Sequence, residues 1–181
     1  MRKVVVTQFV SLDGVAEAAD KFLTGWDDVV DANGAEIIAT QDAVILGHRT
    51  YDEWCAFWPG SDIEPFATFI NKAPKYVASS TPLATQWSNA IAIDGDLVGF
   101  VRDLKNSAGG DIGVHGSIAV AQSLLTAGVV DELRLAVVPV VVGHGRRLLD
   151  GLPHIGLELI RSVGTPSGYL LADYRVAGPA S

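Results

Sequence analysis

The 181-residue chain has one cysteine, one methionine and few cations. With Cys55 alone, neither a disulfide framework nor a cysteine-built zinc site is available. Lys and Arg number 13 against 21 Asp and Glu, a formal net charge of −8 with a pI near 4.8. Nucleic acids and anionic membranes need clustered Lys and Arg to neutralise phosphates, so both are excluded as partners. An anionic small molecule held by a few local cations is not excluded. Long apolar runs are also missing. The longest, residues 135–142, falls far short of the ~20 residues that span a bilayer and contains Pro139. Residues 4–10 follow a basic Met1-Arg2-Lys3 but are broken by Thr7 and Gln8, too short and polar for a signal sequence. A soluble, cytoplasmic protein is expected.

What the chain does have is apolar content, 49% of residues, with a mean hydropathy of +0.29 and only 19% charged residues. That rules out disorder over most of its length. One domain, or at most two very small ones, fits the length, and a globule of this size buries roughly 70% of its unfolded surface. Residues 3–10 are rich in β-branched side chains and end at Ser11-Leu12-Asp13-Gly14, which predicts a buried strand and a turn. A polar loop of about a dozen residues follows, a length that is often functional. Residues 27–41 carry Val30, Ile37 and Ile38 at helical spacing, weakened by Gly34. Further strands are predicted over 43–47, 75–79, 111–115 and 130–138, and a C-terminal hairpin over 157–163 and 169–176. Helices are predicted over 51–57 with Thr50 as cap, over 94–106, and from Ser117 to a stop at Gly128. The order, βα repeats and then β only, predicts one α/β domain. Its sheet is mostly parallel, with helices on both faces and an antiparallel C-terminal edge.

In such sheets ligands gather beyond the carboxyl ends of the strands. Three junctions there are chemically equipped: Gly47-His48-Arg49-Thr50, Ser79-Ser80-Thr81 and His115-Gly116-Ser117. Together they favour a long phosphorylated ligand such as a dinucleotide, although neither G-x-G-x-x-G nor a Walker A loop occurs. The four histidines lack metal-ligand spacing, so no metal is expected, and Ser117 lacks the second glycine of a nucleophile elbow. Tyr51, Trp54 and Trp58 share a helical face and read as core, and Cys55 as an inert thiol.

The segment Ile45-Leu46-Gly47-His48-Arg49-Thr50-Tyr51-Asp52 resembles the strand-to-helix segment of dihydrofolate reductases. Tyr76-Val77-Ala78-Ser79-Ser80-Thr81-Pro82 resembles their next strand and cofactor loop, and residues 112–125 their glycine-bearing strand and helix. Ser11-Leu12-Asp13-Gly14 and the stretch from Val138-Pro139 through Gly143-His144-Gly145-Arg146-Arg147 to Asp150 are more similar to the reductase domain of riboflavin biosynthesis and its small stand-alone relatives. The resemblance spans residues 4–174.

It implies a dihydrofolate reductase-like fold that binds NADPH. Gly47, His48, Arg49 and Thr50 would meet the pyrophosphate and adenosine side. Ser79 and Ser80, with Thr81, would hold the 2′-phosphate. Val114, His115, Gly116, Ser117, Ile118 and Ala119, with Gln122, would line the stretch from nicotinamide to pyrophosphate. His115-Gly116 stands where the family has two glycines. Hydride transfer to a C=N or carbonyl-derived carbon leaves an atom that needs a proton. Asp31, five residues after Trp26 and 16 before Gly47, matches the position of the family's acid. Asp27 and Asp28 are its rivals, better placed as caps. Ala136 stands where folate reductases support that acid with threonine, and the loop after it, with Gly143, Gly145, Arg146 and Arg147, looks like the riboflavin-type reductase, a resemblance that implies a substrate like 5-amino-6-(5-phosphoribosylamino)uracil. Trp26, Arg146 and Arg147 are the expected substrate contacts. A NADPH-binding protein without reductase activity and a true dihydrofolate reductase are the alternatives. Residues 137–142 suggest a strand running past the sheet, and with it a homodimer.

Overall fold

The computed structural model describes residues 1–177. Val4, Val5 and Val6 are all buried, as a strand covered on both faces requires, and open β1 (Val4–Ser11) at the middle of the sheet. Around it stand β2 (Gln41–Gly47), β3 (Lys75–Ala78), β4 (Ala90–Ile93), β5 (Asp111–His115), β6 (Glu132–Val138), β7 (Leu157–Gly164) and β8 (Leu170–Val176). Their spatial order is β4-β3-β2-β5-β1-β6-β8-β7. Every pairing from β4 to β6 is parallel, whereas β8 runs antiparallel to both β6 and β7. This is the dihydrofolate reductase-like architecture expected from the sequence, a three-layer α/β fold with an antiparallel C-terminal edge.

Alternation along the strands divides the helices. Val4, Val6, Ile45, Ile112 and Val114 face α4 (Leu97–Asn106) and α5 (Ile118–Thr126), whose Val101, Ala121, Leu124 and Leu125 complete that core. The opposite face carries α1 (Asp28–Ala39), α2 (His48–Phe57) and α3 (Phe66–Lys72). There Val44, Leu46, Tyr51, Ile70, Val77 and Trp87 form one cluster, and Val30, Ala136, Tyr169 and Leu171 another.

Several boundaries differ from the sequence reading. The second helix begins at His48, with Gly47 at the N-cap, so Thr50 is not the cap but a buried residue of the first turn. Neither α3 nor β4 was expected. The helix is seven residues long and has no side-chain cap; the strand is a four-residue edge with two exposed positions. Lys75 explains itself only in this context: fully buried, its Nζ donates to Ile70 O at 2.7 Å and Ala73 O at 2.9 Å, closing the end of α3. The strand expected to run past the sheet stops at Val138. Pro139 supplies no N–H for a ladder. Beyond it, Val140 O accepts from Leu12 N at 2.8 Å, and Asp13 takes the Val142 and Gly143 amides at 3.0 and 2.8 Å. Among the described residues no helix is long and apolar enough to cross a membrane.

Candidate functional site

The parallel pairing of β2 with β5, Ile45 opposite Val114, sets their two strand-to-helix junctions side by side. Gly47 N–H donates to Ser117 Oγ at 2.7 Å, and Ser117 Oγ–H donates to Thr50 Oγ1 at 2.9 Å. Next to this tie Gly116 adopts φ +66°, and a Cβ there would lie 3.0 Å from the Trp54 ring and 3.2 Å from the Thr50 methyl. Glycine at 116 is therefore required twice, by backbone conformation and by space. The first turns of α2 and α5 line a cleft of about 800 Å³. Neither helix has a side-chain cap, whereas Asp27 caps α1 and Asp96 caps α4. Two helix N-termini thus offer free N–H groups and positive dipole ends to one cleft.

The charged rim is shared by three segments. His48 Nδ1 lies 2.8 Å from Ser79 Oγ and 3.3 Å from Thr81 Oγ1, and its Nε2 lies 3.4 Å from Asp52. Ser79, Ser80 and Thr81 stand outside the cleft lining, and Ser79 and Thr81 are joined to it through that histidine. Arg49 bonds Glu53 at 3.1 Å and reaches Glu17 at 3.4 Å. Arg146, from the loop after β6, bonds the same Glu17 oxygen at 3.0 Å. The Arg146 N–H on its carboxylate, followed by the guanidinium, holds the Glu17 pKa below its ordinary value.

Of the residues singled out in the sequence, the cleft gathers Gly47 to Thr50, Gly116 to Ala119, and Arg146. Val114 and His115 do not line it, because both point into the packed layers on either side of β5. His115 Nε2 sits 2.7 Å from Gln41 Oε1, with Phe66 and Phe69 against its ring, and burial pushes its pKa down to about 4. Gly113 makes that pair possible: a Cβ there would fall 2.0 Å from Gln41 Oε1. Gln122 turns its amide to the carbonyls of Arg147, Leu148 and Asp150, fixing that loop. Arg147 donates to Asp13 O at 2.8 Å, away from the cleft.

Asp31 is exposed in the first turn of α1, where Trp26 Nε1 donates to its Oδ1 at 2.5 Å. Trp26 packs on Phe9 and Tyr169, so the indole bridges sheet and acid. Both lie outside the cleft lining. Asp27 caps α1 through Val29 N and Val30 N and accepts from Ser167, whose hydroxyl holds its pKa well below the carboxylate range. Asp28 is exposed beside it.

Among the cleft residues that the sequence does not single out as ligand contacts are its aromatic wall and Glu17. Tyr51 is core, but Trp54, Phe57 and Trp58 form an aromatic wall, with Phe57 54% exposed. Helical spacing alone does not separate these roles. No sequence signal singles out Glu17 beyond the length of its loop, which marks the region. Among the described residues no cluster of three or more His, Cys, Asp and Glu is arranged to hold a metal.

The sequence pattern of the RibD C-terminal domain family matches residues 2–171. The uncharacterized protein YyaP of Bacillus subtilis (strain 168) is 25% identical over 182 residues, covering 98% of this chain and 96% of YyaP. Among solved structures, a Shewanella sp. PV-4 protein provisionally assigned to riboflavin biosynthesis gives a TM-score of 0.77 at 19% identity, covering 97% of this chain and 99% of that one. The diaminohydroxyphosphoribosylaminopyrimidine deaminase/5-amino-6-(5-phosphoribosylamino)uracil reductase of Thermotoga maritima gives 0.69 at 15% identity, over 97% of this chain and 57% of that one. Dihydrofolate reductase of Enterococcus faecalis, complexed with NADP(H), gives 0.64 at 14% identity, over 96% of each chain. At these identities the structural matches establish the fold.

Proposed function

The chain belongs to the RibD C-terminal domain family, and from that premise we propose that it is an NADPH-dependent reductase of a small pyrimidine- or pteridine-like heterocycle, of the 5-amino-6-(5-phosphoribosylamino)uracil reductase kind. The observation that carries this reading is the convergence of two uncapped helix N-termini on one glycine-floored cleft. An acidic protein has few other means of holding phosphates.

The residues present suit NADPH. The cleft is large enough for an extended ligand, and Gly116 leaves open the backbone approach that a Cβ would obstruct. Gly47 to Thr50 and Gly116 to Ala119 would hold its pyrophosphate and nicotinamide stretch, and His48 with Ser79, Ser80 and Thr81 its 2′-phosphate. Bound there, NADPH supplies the hydride. Asp31, oriented by Trp26, delivers the proton to the atom that becomes negative when the substrate carbon is reduced. Arg146 contributes charge to a substrate phosphate, and Arg147 holds the adjoining turn to Asp13. The working unit of this reading is a homodimer, to be checked by light scattering at micromolar concentration.

The position of Asp31 outside the cleft lining favours a second reading, a NADPH-binding protein without turnover. One experiment separates them. NADPH is titrated by thermal shift and tryptophan fluorescence, and its oxidation is followed with pterin and aminouracil substrates. Binding with turnover supports the reductase, and binding without turnover the second reading. No response at millimolar NADPH removes both.

A further inference from the structure

Among the described residues Glu17 is the one carboxylate in contact with both Arg49 and Arg146, and it reaches them from a different segment. Its Oε1 accepts from Arg146 Nε at 3.0 Å and lies 3.4 Å from Arg49 Nη1, while its Oε2 accepts from the Arg146 backbone N–H at 3.2 Å. Two guanidinium groups and an amide directed at one pair of oxygens are the donor set that recognises a phosphate. The three side chains all line the cleft, and they are 28%, 66% and 52% exposed for Glu17, Arg49 and Arg146. Ion pairs so open to water contribute little to stability, so this arrangement is easily exchanged. The loop carrying Glu17 is held to the Arg146 segment by Ala16 N to Arg146 O at 3.0 Å and by the Val15–Arg147 bridge. Gly145, at φ +99°, leaves room for the carboxylate 3.5 Å from where its Cβ would stand.

We propose that Arg49, Arg146 and the Arg146 amide form a phosphate receptor that the chain's own Glu17 occupies, so that a phosphorylated ligand binds by displacing this carboxylate. Glu17 is then an internal competitor that sets ligand affinity. The proposal rests on the reading of the cleft as a phosphate-binding site, and its test keeps the two separable.

Inorganic pyrophosphate and NADPH are titrated into the wild type, Glu17→Gln and Glu158→Gln. Glu158 pairs with Arg175 at the opposite end of the sheet, so its substitution removes the same charge remotely. Glu17→Gln keeps an acceptor for the Arg146 amide and is expected to bind pyrophosphate about tenfold tighter, with Glu158→Gln unchanged. Adding Arg49→Ala and Arg146→Ala to Glu17→Gln is expected to abolish the gain. Equal affinity in Glu17→Gln and wild type, an equal gain in Glu158→Gln, or a gain that survives loss of both arginines would overturn the proposal. Should Glu17→Gln not fold, the arginine variants alone decide: a tenfold loss of pyrophosphate affinity supports the receptor, and no loss removes it. Tighter pyrophosphate binding without NADPH binding would leave the receptor standing and remove the reductase reading. Equal pyrophosphate affinity in wild type and Glu17→Gln, with NADPH still bound, would do the reverse.

Discussion

Ser117 Oγ accepts the Gly47 amide across 70 residues of sequence, at 2.7 Å, and thereby locks the end of β2 to the start of α5. The same hydroxyl donates to Thr50, which lies in the first turn of α2. One side chain therefore fixes the spacing of both uncapped helix N-termini, and with it the width of the cleft between them.

Removing that hydroxyl leaves the half-buried Gly47 N–H without its partner and takes from Thr50 Oγ1 the donor it accepts, so that Thr50 retains only Gly116 O at 3.4 Å. Ser117→Ala is expected to lower unfolding stability by about 1–3 kcal/mol and to weaken NADPH binding several-fold. Urea unfolding and cofactor titration check the two effects. An unchanged midpoint with unchanged affinity would show that the junctions hold their spacing without the tie.

Gly116 and Gly128 have nearly the same backbone, φ +66° and +64°, in different surroundings. A Cβ at 128 meets nothing within 4 Å, whereas one at 116 meets Trp54 at 3.0 Å. Gly128→Ala is expected to cost only the left-handed conformation, about 1–2 kcal/mol, and to leave NADPH binding intact. Gly116→Ala is expected to cost more than that and to abolish binding, because Trp54 or Thr50 must move within the cleft. Equal stability and equal affinity in the two variants would contradict the crowding at 116.

Strands β1, β2, β3, β5 and β6 were readable because buried parallel strands announce themselves as apolar runs, as in Val44-Ile45-Leu46 and Ile112-Gly113-Val114. Two elements near the β3 edge were not. Only Ala67 and Ile70 of α3 are buried, too few for a periodic signal, and β4 buries only Ile93. Thr50 looked like a helix cap because its hydroxyl sits where one belongs, yet that hydroxyl is taken by Ser117, a partner remote in sequence. The glycine junctions of the cleft were legible because their requirement is local. The role of Glu17 was not, because it depends on two arginines 32 and 129 residues away.

If Asp31 supplies the proton, Asp31→Asn is expected to lower turnover by at least about 100-fold, with the NADPH dissociation constant unchanged because Asp31 lies outside the cleft lining. Trp26→Phe removes the indole N–H at 2.5 Å and is expected to give a smaller loss of turnover. Single-turnover kinetics with saturating NADPH reads both. Full turnover in Asp31→Asn would transfer the role to another acid.

His115 gives the fold a pH dependence that its carboxylates do not. Its pKa falls from 6.5 to about 4 because the imidazole is buried between Gln41 and the Phe66 and Phe69 rings. A group whose folded pKa is depressed favours the fold while it is neutral. The stabilisation is therefore complete above pH 6.5 and is lost progressively as pH falls from 6.5 to 4. At 1.36 kcal/mol per pKa unit the full loss is about 3 kcal/mol. Glu17, Glu132, Asp13 and Asp27 are also held below their ordinary values of 4.5 and 3.8, but their contributions disappear only below those values. The interval from 6.5 to 4.5 thus isolates the histidine. Urea unfolding across it is expected to show a falling midpoint in the wild type and a flatter profile in His115→Gln, which keeps a donor for Gln41. Parallel profiles for the two proteins would show that His115 is not the buried group that titrates.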